Sequence, residues 1–208
     1  MNPDRKEELK LEAKLEAYER GLIEEGINRR ESRKNVSFLS FVLKSFEISK
    51  YETIYDLCCG KGILGRYFSS LGKDVIAVDH HQNRYLREHP FQETERYHFQ
   101  TSDLWEEYSL QPYSLVLSLH ACGNLTDRVI ELSVASQSDV AVMTCCHEKR
   151  IFFPDLLEGT SHTNEDKSYR QDRIRVNYLS KQGYETSIFT VPEDITPKNR
   201  ILLGKYRS

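Results

Sequence analysis

The stretch Asp56-Leu57-Cys58-Cys59-Gly60-Lys61-Gly62-Ile63-Leu64-Gly65 decides the fold. It continues the apolar run Thr53-Ile54-Tyr55 and leads into a helical pattern reaching about Leu71. That is a short buried strand, a tight turn and a helix. Gly60, Gly62 and Gly65 satisfy G-x-G-x-x-G, a spacing that lets a ligand approach the backbone of the turn. Packing alone is the lesser alternative for such a run of glycines. Nineteen residues beyond Gly60, Asp74 to Asp79 (DVIAVD) forms a second buried strand ending in a carboxylate. A carboxylate there can accept both hydroxyls of a ribose.

Outward from this pair, strand and helix patterns alternate. Arg96 to Gln100, Tyr113 to Leu119 and Asp139 to Thr144 read as further strands, with a helix over about Leu125 to Ala135. A long helix runs from about Lys167 to Gln182 and is stopped by Gly183. Glu185 to Val191 and Asn199 to Lys205 close the chain as strands joined too briefly for a crossover. The expected fold is α/β, a Rossmann-like seven-stranded, mostly parallel sheet with an antiparallel last strand. Residues 49–208 form this domain, and residues 1–48 a helical extension. In that extension Leu11, Leu15, Tyr18 and Leu22 make one amphipathic stripe. A second helix spans Ser37 to Phe46, with Asn35 or Ser37 as its cap.

Among 208 residues, 29 are Lys or Arg and 32 are Asp or Glu, a net charge of −3 that announces no nucleic-acid partner. No apolar run is long enough to cross a membrane, and the N-terminus does not resemble a signal peptide, so the expected location is the cytoplasm. Four of five cysteines are adjacent pairs, Cys58-Cys59 and Cys145-Cys146, with Cys122 apart. Neither pair has the spacing of a zinc site, no metal is expected, and reduced buried thiols are the simplest reading.

Two nucleotide ligands compete for the glycine turn, a nicotinamide dinucleotide and S-adenosylmethionine. Asp56 favours the second. A carboxylate four residues before Gly60 suits an ammonium and sulfonium, whereas it repels a pyrophosphate. Asp103, after the third strand, is placed to receive the exocyclic amine of adenine, with Ser102 beside it. The cofactor set is then Asp56, Cys58, Gly60, Gly62, Asp79, His80, Ser102, Asp103 and His120.

Together these residues resemble the class I S-adenosylmethionine-dependent methyltransferases over about residues 50–205. One departure is Cys58, where that class usually has glycine. Ser118-Leu119-His120-Ala121-Cys122-Gly123-Asn124-Leu125-Thr126-Asp127 and Thr144-Cys145-Cys146-His147-Glu148 look like the H-x-C-G-x-x-T-D and C-C-H segments of tRNA ribose 2′-O-methyltransferases and methyltransferase-like relatives. The resemblance implies methyl transfer to RNA, tRNA being one form. A small molecule or protein is the alternative acceptor. A NAD-dependent reductase and a non-catalytic cofactor-binding module are the alternatives from other classes.

Ligands of open α/β sheets bind beyond the carboxyl ends of the strands, so His120, Cys122, Asn124 and His147 should converge on the reacting methyl. His120 or His147 could remove a hydroxyl proton near neutral pH. RNA phosphates are expected to meet a basic group within 149–175, namely Lys149, Arg150, Lys167, Arg170, Arg173 and Arg175, with Lys61 or Arg66 as further contacts.

Overall fold

A computed structural model describes residues 3–88, 96–144, 167–197 and 199–207. Seven strands, β1 (Thr53–Leu57), β2 (Asp74–Asp79), β3 (Tyr97–Thr101), β4 (Leu115–Ser118), β5 (Asp139–Met143), β6 (Tyr184–Thr190) and β7 (Arg200–Tyr206), form one sheet in the order β3-β2-β1-β4-β5-β7-β6. β1 to β5 are parallel, and β7 enters antiparallel between β5 and β6. The order reverses between β1 and β4, and a sheet wound both ways opens a crevice at that switch point.

Alternation of side chains along the strands divides the core. Ile54, Val75, Ala77, Leu115, Leu117, Ala141 and Met143 face the layer of α2 (Arg29–Ser45) and α3 (Ile63–Ser70). Tyr55, Leu57, Val78, Val116, Val140 and Val142 face α5 (Asn124–Ala135) and α6 (Lys167–Lys181). Phe38, Leu39 and Val42 of α2 are fully buried, each worth about 1.5–3 kcal/mol of burial free energy. The expected amphipathic helix is α1 (Pro3–Glu24), whose Leu15 joins that core and whose Leu22 packs with Ile27 and Ile63. Among the described residues, no helix is long and apolar enough to span a membrane.

Three local expectations change. α2 begins eight residues earlier than Ser37, because Asn28 caps it, its Oδ1 accepting from the Glu31 amide at 2.9 Å. Asn35 and Ser37 instead bond backward to the carbonyls of Glu31 and Arg33 inside the helix. β4 starts at Leu115 rather than Tyr113, since Tyr113 has φ +58 and cannot be extended. A short helix, α4 (Arg84–Glu88), follows β2, its Leu86 amide donating to Asn83 Oδ1 at 3.0 Å. At five residues it carries too little periodicity to be read from sequence.

Candidate active site

The turn after β1 is built from three left-handed residues, Cys58 (φ +55), Gly60 (φ +55) and Gly62 (φ +65). Cys58 adopts the conformation that explains why glycine is usual at its position. The turn is tied to β2 by the Cys59 amide, which donates to Val78 O at 3.0 Å, and by the Gly60 amide, which donates to Asp79 Oδ2 at 2.8 Å. Asn83 Nδ2 donates to the Gly60 carbonyl.

The three glycines do different work. A Cβ on Gly60 would stand 3.6 Å from the His120 ring, so this glycine borders the open side of the turn. A Cβ on Gly62 would stand 2.3 Å from Tyr97 Oη, and one on Gly65 2.8 Å from Tyr97 Cε2. Those two admit the Tyr97 ring behind the turn. Asp56 is also behind it. It shares the strand parity of Ile54, is 1% exposed, and its Oδ2 accepts from the Gly65 amide at 3.0 Å. Burial raises its pKa to about 7, with the nearby Asp79 charge adding to the rise.

Beyond the strand ends lies a cavity of about 450 Å³. Cys58, Asp79, His80, Ser102, Asp103, His120 and Cys122 line it, together with Val78, Leu104, Trp105 and Leu125. Seven residues singled out from sequence are therefore brought together from the ends of four strands. Asp56, Gly60, Gly62 and Asn124 are not among its lining residues; Asn124 begins α5. His147, Cys145 and Cys146 lie outside the described residues.

Asp79 is the fixed charge of the cavity. Its Oδ1 accepts from the His80 amide at 2.8 Å and lies 2.7 Å from His80 Nδ1. Oδ2, which accepts from the Gly60 amide, retains lone-pair capacity for a ligand hydroxyl. Asp103 Oδ1 accepts from the Trp105 amide at 2.9 Å. Burial first, and then the charge of Lys34, lower the His120 pKa to about 4, so the ring is neutral at neutral pH rather than titrating there. Burial raises the Cys58 thiol to about 12, helped by Asp79, which leaves it protonated and a poor nucleophile.

Of the expected cations, Arg175, Arg66 and Lys61 are held in ion pairs, whereas Lys149 and Arg150 lie outside the described residues. Arg175 is buried and forks onto Asp127 at 2.8 and 3.0 Å, with Asp172 at 3.2 Å and the Gly123 carbonyl at 3.0 Å. Asp172 also accepts from Arg200 at 2.6 Å. Thr126 Oγ1 donates to Ala121 O at 2.7 Å. The T-D half of the H-x-C-G-x-x-T-D segment thus braces the turn, while its His and Cys face the cavity. Arg66 pairs with Glu25 at 2.6 and 2.9 Å, and Lys61 with Glu31 at 2.6 Å.

Sequence reasoning missed Trp105 and Lys34. Trp105 is the single tryptophan, two residues after Asp103, which is a usable signal. Lys34 lies in the N-terminal extension, yet its Nζ donates to Leu119 O at 3.5 Å, next to His120. Nothing local in the sequence places it there.

The sequence model of a family described as "Methyltransferase domain" matches residues 29–151. The chain belongs to this methyltransferase family. The methyltransferase shares its fold with solved structures of low identity. Magnesium protoporphyrin IX methyltransferase from Synechocystis PCC 6803, solved with bound S-adenosylhomocysteine, superposes with a TM-score of 0.54 at 14% identity, over 83% of this chain and 82% of that one. A fibrillarin/Nop5p complex gives 0.53 at 13% identity, over 81% and 79%. An O-methyltransferase family protein from Burkholderia thailandensis gives 0.50 at 13%, over 86% and 60%. A search of curated proteins finds no match. Family membership removes the reductase alternative. It also accounts for α2, which the matched region includes.

Proposed function

We propose that the protein transfers the methyl group of S-adenosylmethionine to a hydroxyl of a cytosolic RNA, tRNA being the favoured form. The observation that carries the cofactor half is the cavity at the topological switch point, with the Asp79 carboxylate at the end of β2 and the glycine turn against it. The residues fit the cofactor. Asp79 Oδ2 has a lone pair for a ribose hydroxyl, the Gly60 turn closes against that carboxylate, and Asp103 supplies an acceptor for the adenine amine. The RNA half is supported by the two segments around His120 and His147 that resemble those of tRNA ribose methyltransferases.

When bound, S-adenosylmethionine supplies an electrophilic methyl on a positively charged sulfur. The chain's own residues do the rest. Asp79 and the Gly60 turn fix the ribose and hence the orientation of the donor. Leu104, Leu125 and Trp105 narrow the cavity and exclude water. His120, neutral because it is buried, accepts a hydrogen bond from the acceptor hydroxyl. It would take the proton as the C–O bond forms and the methyl–sulfur bond breaks, and, being a weak base, pass it on to water. Cys122 lines the acceptor side as a thiol contact. Holding the acceptor in line at about 3 Å supplies much of the acceleration.

The test is transfer of a tritiated methyl from labelled cofactor into total RNA, protein and metabolite extracts, with Asp79→Ala as control. Label in RNA that disappears with the variant is expected. Label entering only protein or metabolites refutes the RNA assignment.

A further inference from the structure

We propose that the first two turns of α2 are the surface that docks the phosphate backbone of the acceptor RNA. Lys34 meets the phosphate beside the reacting nucleotide, and Arg30 and Arg29 meet its neighbours. The inference rests on the RNA reading above and supplies an electrostatic footprint beside the cavity.

Residues 29–34 (RRESRK) hold four cations and one acid in a chain whose net charge is −3. The acid is already neutralised, since Glu31 pairs with Lys61 at 2.6 Å. Arg33 is taken by Asp194 at 2.9 Å. Just after α1, Glu25 is held by Arg66 and Tyr85. Arg29 and Arg30 are exposed, and therefore leave two cations on this flank with no ion-pair partner among the described residues.

Position decides what that charge is for. Lys34 Nζ reaches Leu119 O, one residue before His120, so its ammonium stands at the rim of the cavity. Its charge is one of the influences that hold His120 neutral. Arg30 lies four residues earlier on the same helix flank, about 6 Å along the axis. Successive phosphates of an RNA strand are spaced on the same scale. A strand whose nucleotide enters the cavity past Lys34 meets Arg30 one step on, and Arg29 at the helix end. Guanidinium forks suit phosphate oxygens in a way that scattered lysines do not. An acidic protein segment has no reason to match this spacing or to lead into the cavity.

The experiment measures binding of bulk tRNA by the full chain as a function of salt, for the wild type and for Arg29→Ala/Arg30→Ala. Each lost phosphate contact lowers the slope of log K against log salt by about 0.7–0.9, so the double variant is expected to lose about 1.5 from the slope. Both arginines are exposed and outside the cofactor cavity, so affinity for S-adenosylhomocysteine should be unchanged, which controls for folding. Lys34→Ala is expected to weaken tRNA binding and to move the His120 titration upward. Wild-type binding with a slope unaltered in the double variant overturns the surface but leaves the RNA reading standing. Absence of any tRNA binding by the wild type overturns both. Equal capture of poly-glutamate at the same salt overturns the phosphate assignment.

Discussion

Asp56→Asn isolates the energetic cost of the carboxylate behind the glycine turn. Asp56 is 1% exposed, its Oδ2 is bonded to the Gly65 amide, and its pKa is raised from 3.8 to about 7. Between those two values the unfolded chain has released a proton that the folded chain keeps. The folded state therefore loses stability as pH rises through that window, and above about 7 the penalty becomes constant. Each pH unit inside the window costs about 1.4 kcal/mol, so the wild type should lose about 2 kcal/mol from this group between pH 5 and 7. Asparagine keeps an oxygen for the Gly65 amide and does not titrate. Urea unfolding of both proteins at pH 5, 6 and 7 gives the difference, in which histidines and other carboxylates cancel. The variant is expected to gain about 2 kcal/mol on the wild type across that range. A difference that stays constant from pH 5 to 7 would refute a proton held on Asp56. It would mean that the carboxylate is ionised in the fold, as a residue facing a cationic ligand would be.

Three further outcomes follow from the same geometry. Gly62→Ala combines a left-handed backbone cost of about 1–2 kcal/mol with a Cβ placed 2.3 Å from Tyr97 Oη, so its Tm should fall by several degrees. Adding Tyr97→Phe should return part of that loss, and no recovery would mean the hydroxyl is not the obstacle. Arg175→Met leaves Asp127 and Asp172 buried without their shared partner, and denaturant titration should show a loss of about 3–5 kcal/mol. Stability within 1 kcal/mol of wild type would show the network to be dispensable. Finally, the His120 ring resonances should titrate near pH 4, not near 6.5, and the methylation rate should be independent of this group from pH 6 to 8. Protonation removes the acceptor lone pair, so any His120-dependent limb lies on the acid side; a midpoint near 6.5 would place the ring in solvent.

Periodicity and turn chemistry were enough for the sheet. Alternating buried runs such as DVIAVD and DVAVM, each followed by a helical pattern, leave few arrangements other than a parallel sheet with covered faces, and the short link before β7 forces the antiparallel end. The cavity's polar residues, Asp79, Ser102, Asp103, His120 and Cys122, were legible for the same reason. They sit just past strand ends, and parallel strands put all such ends on one edge.

What the sequence could not decide was which of several like residues faces a ligand. Asp56 and Asp79 both end strands, but strand parity turns Asp56 into the α3 layer, while Asp79 closes on the Gly60 amide at the cavity. Gly60 and Gly62 belong to one motif, yet only the packing of Tyr97 shows that Gly62 serves the core. Arg175 and Arg30 are equally basic in sequence. Burial between Asp127 and Asp172 makes the first a brace, and solvent exposure on the flank of α2 leaves the second available. Local pattern fixes which face of an element is apolar, because that depends on spacing along one chain. The surroundings of a charge depend on residues distant in sequence, 48 positions for Arg175 and Asp127 and 85 for Lys34 and Leu119, and only the folded chain brings those together.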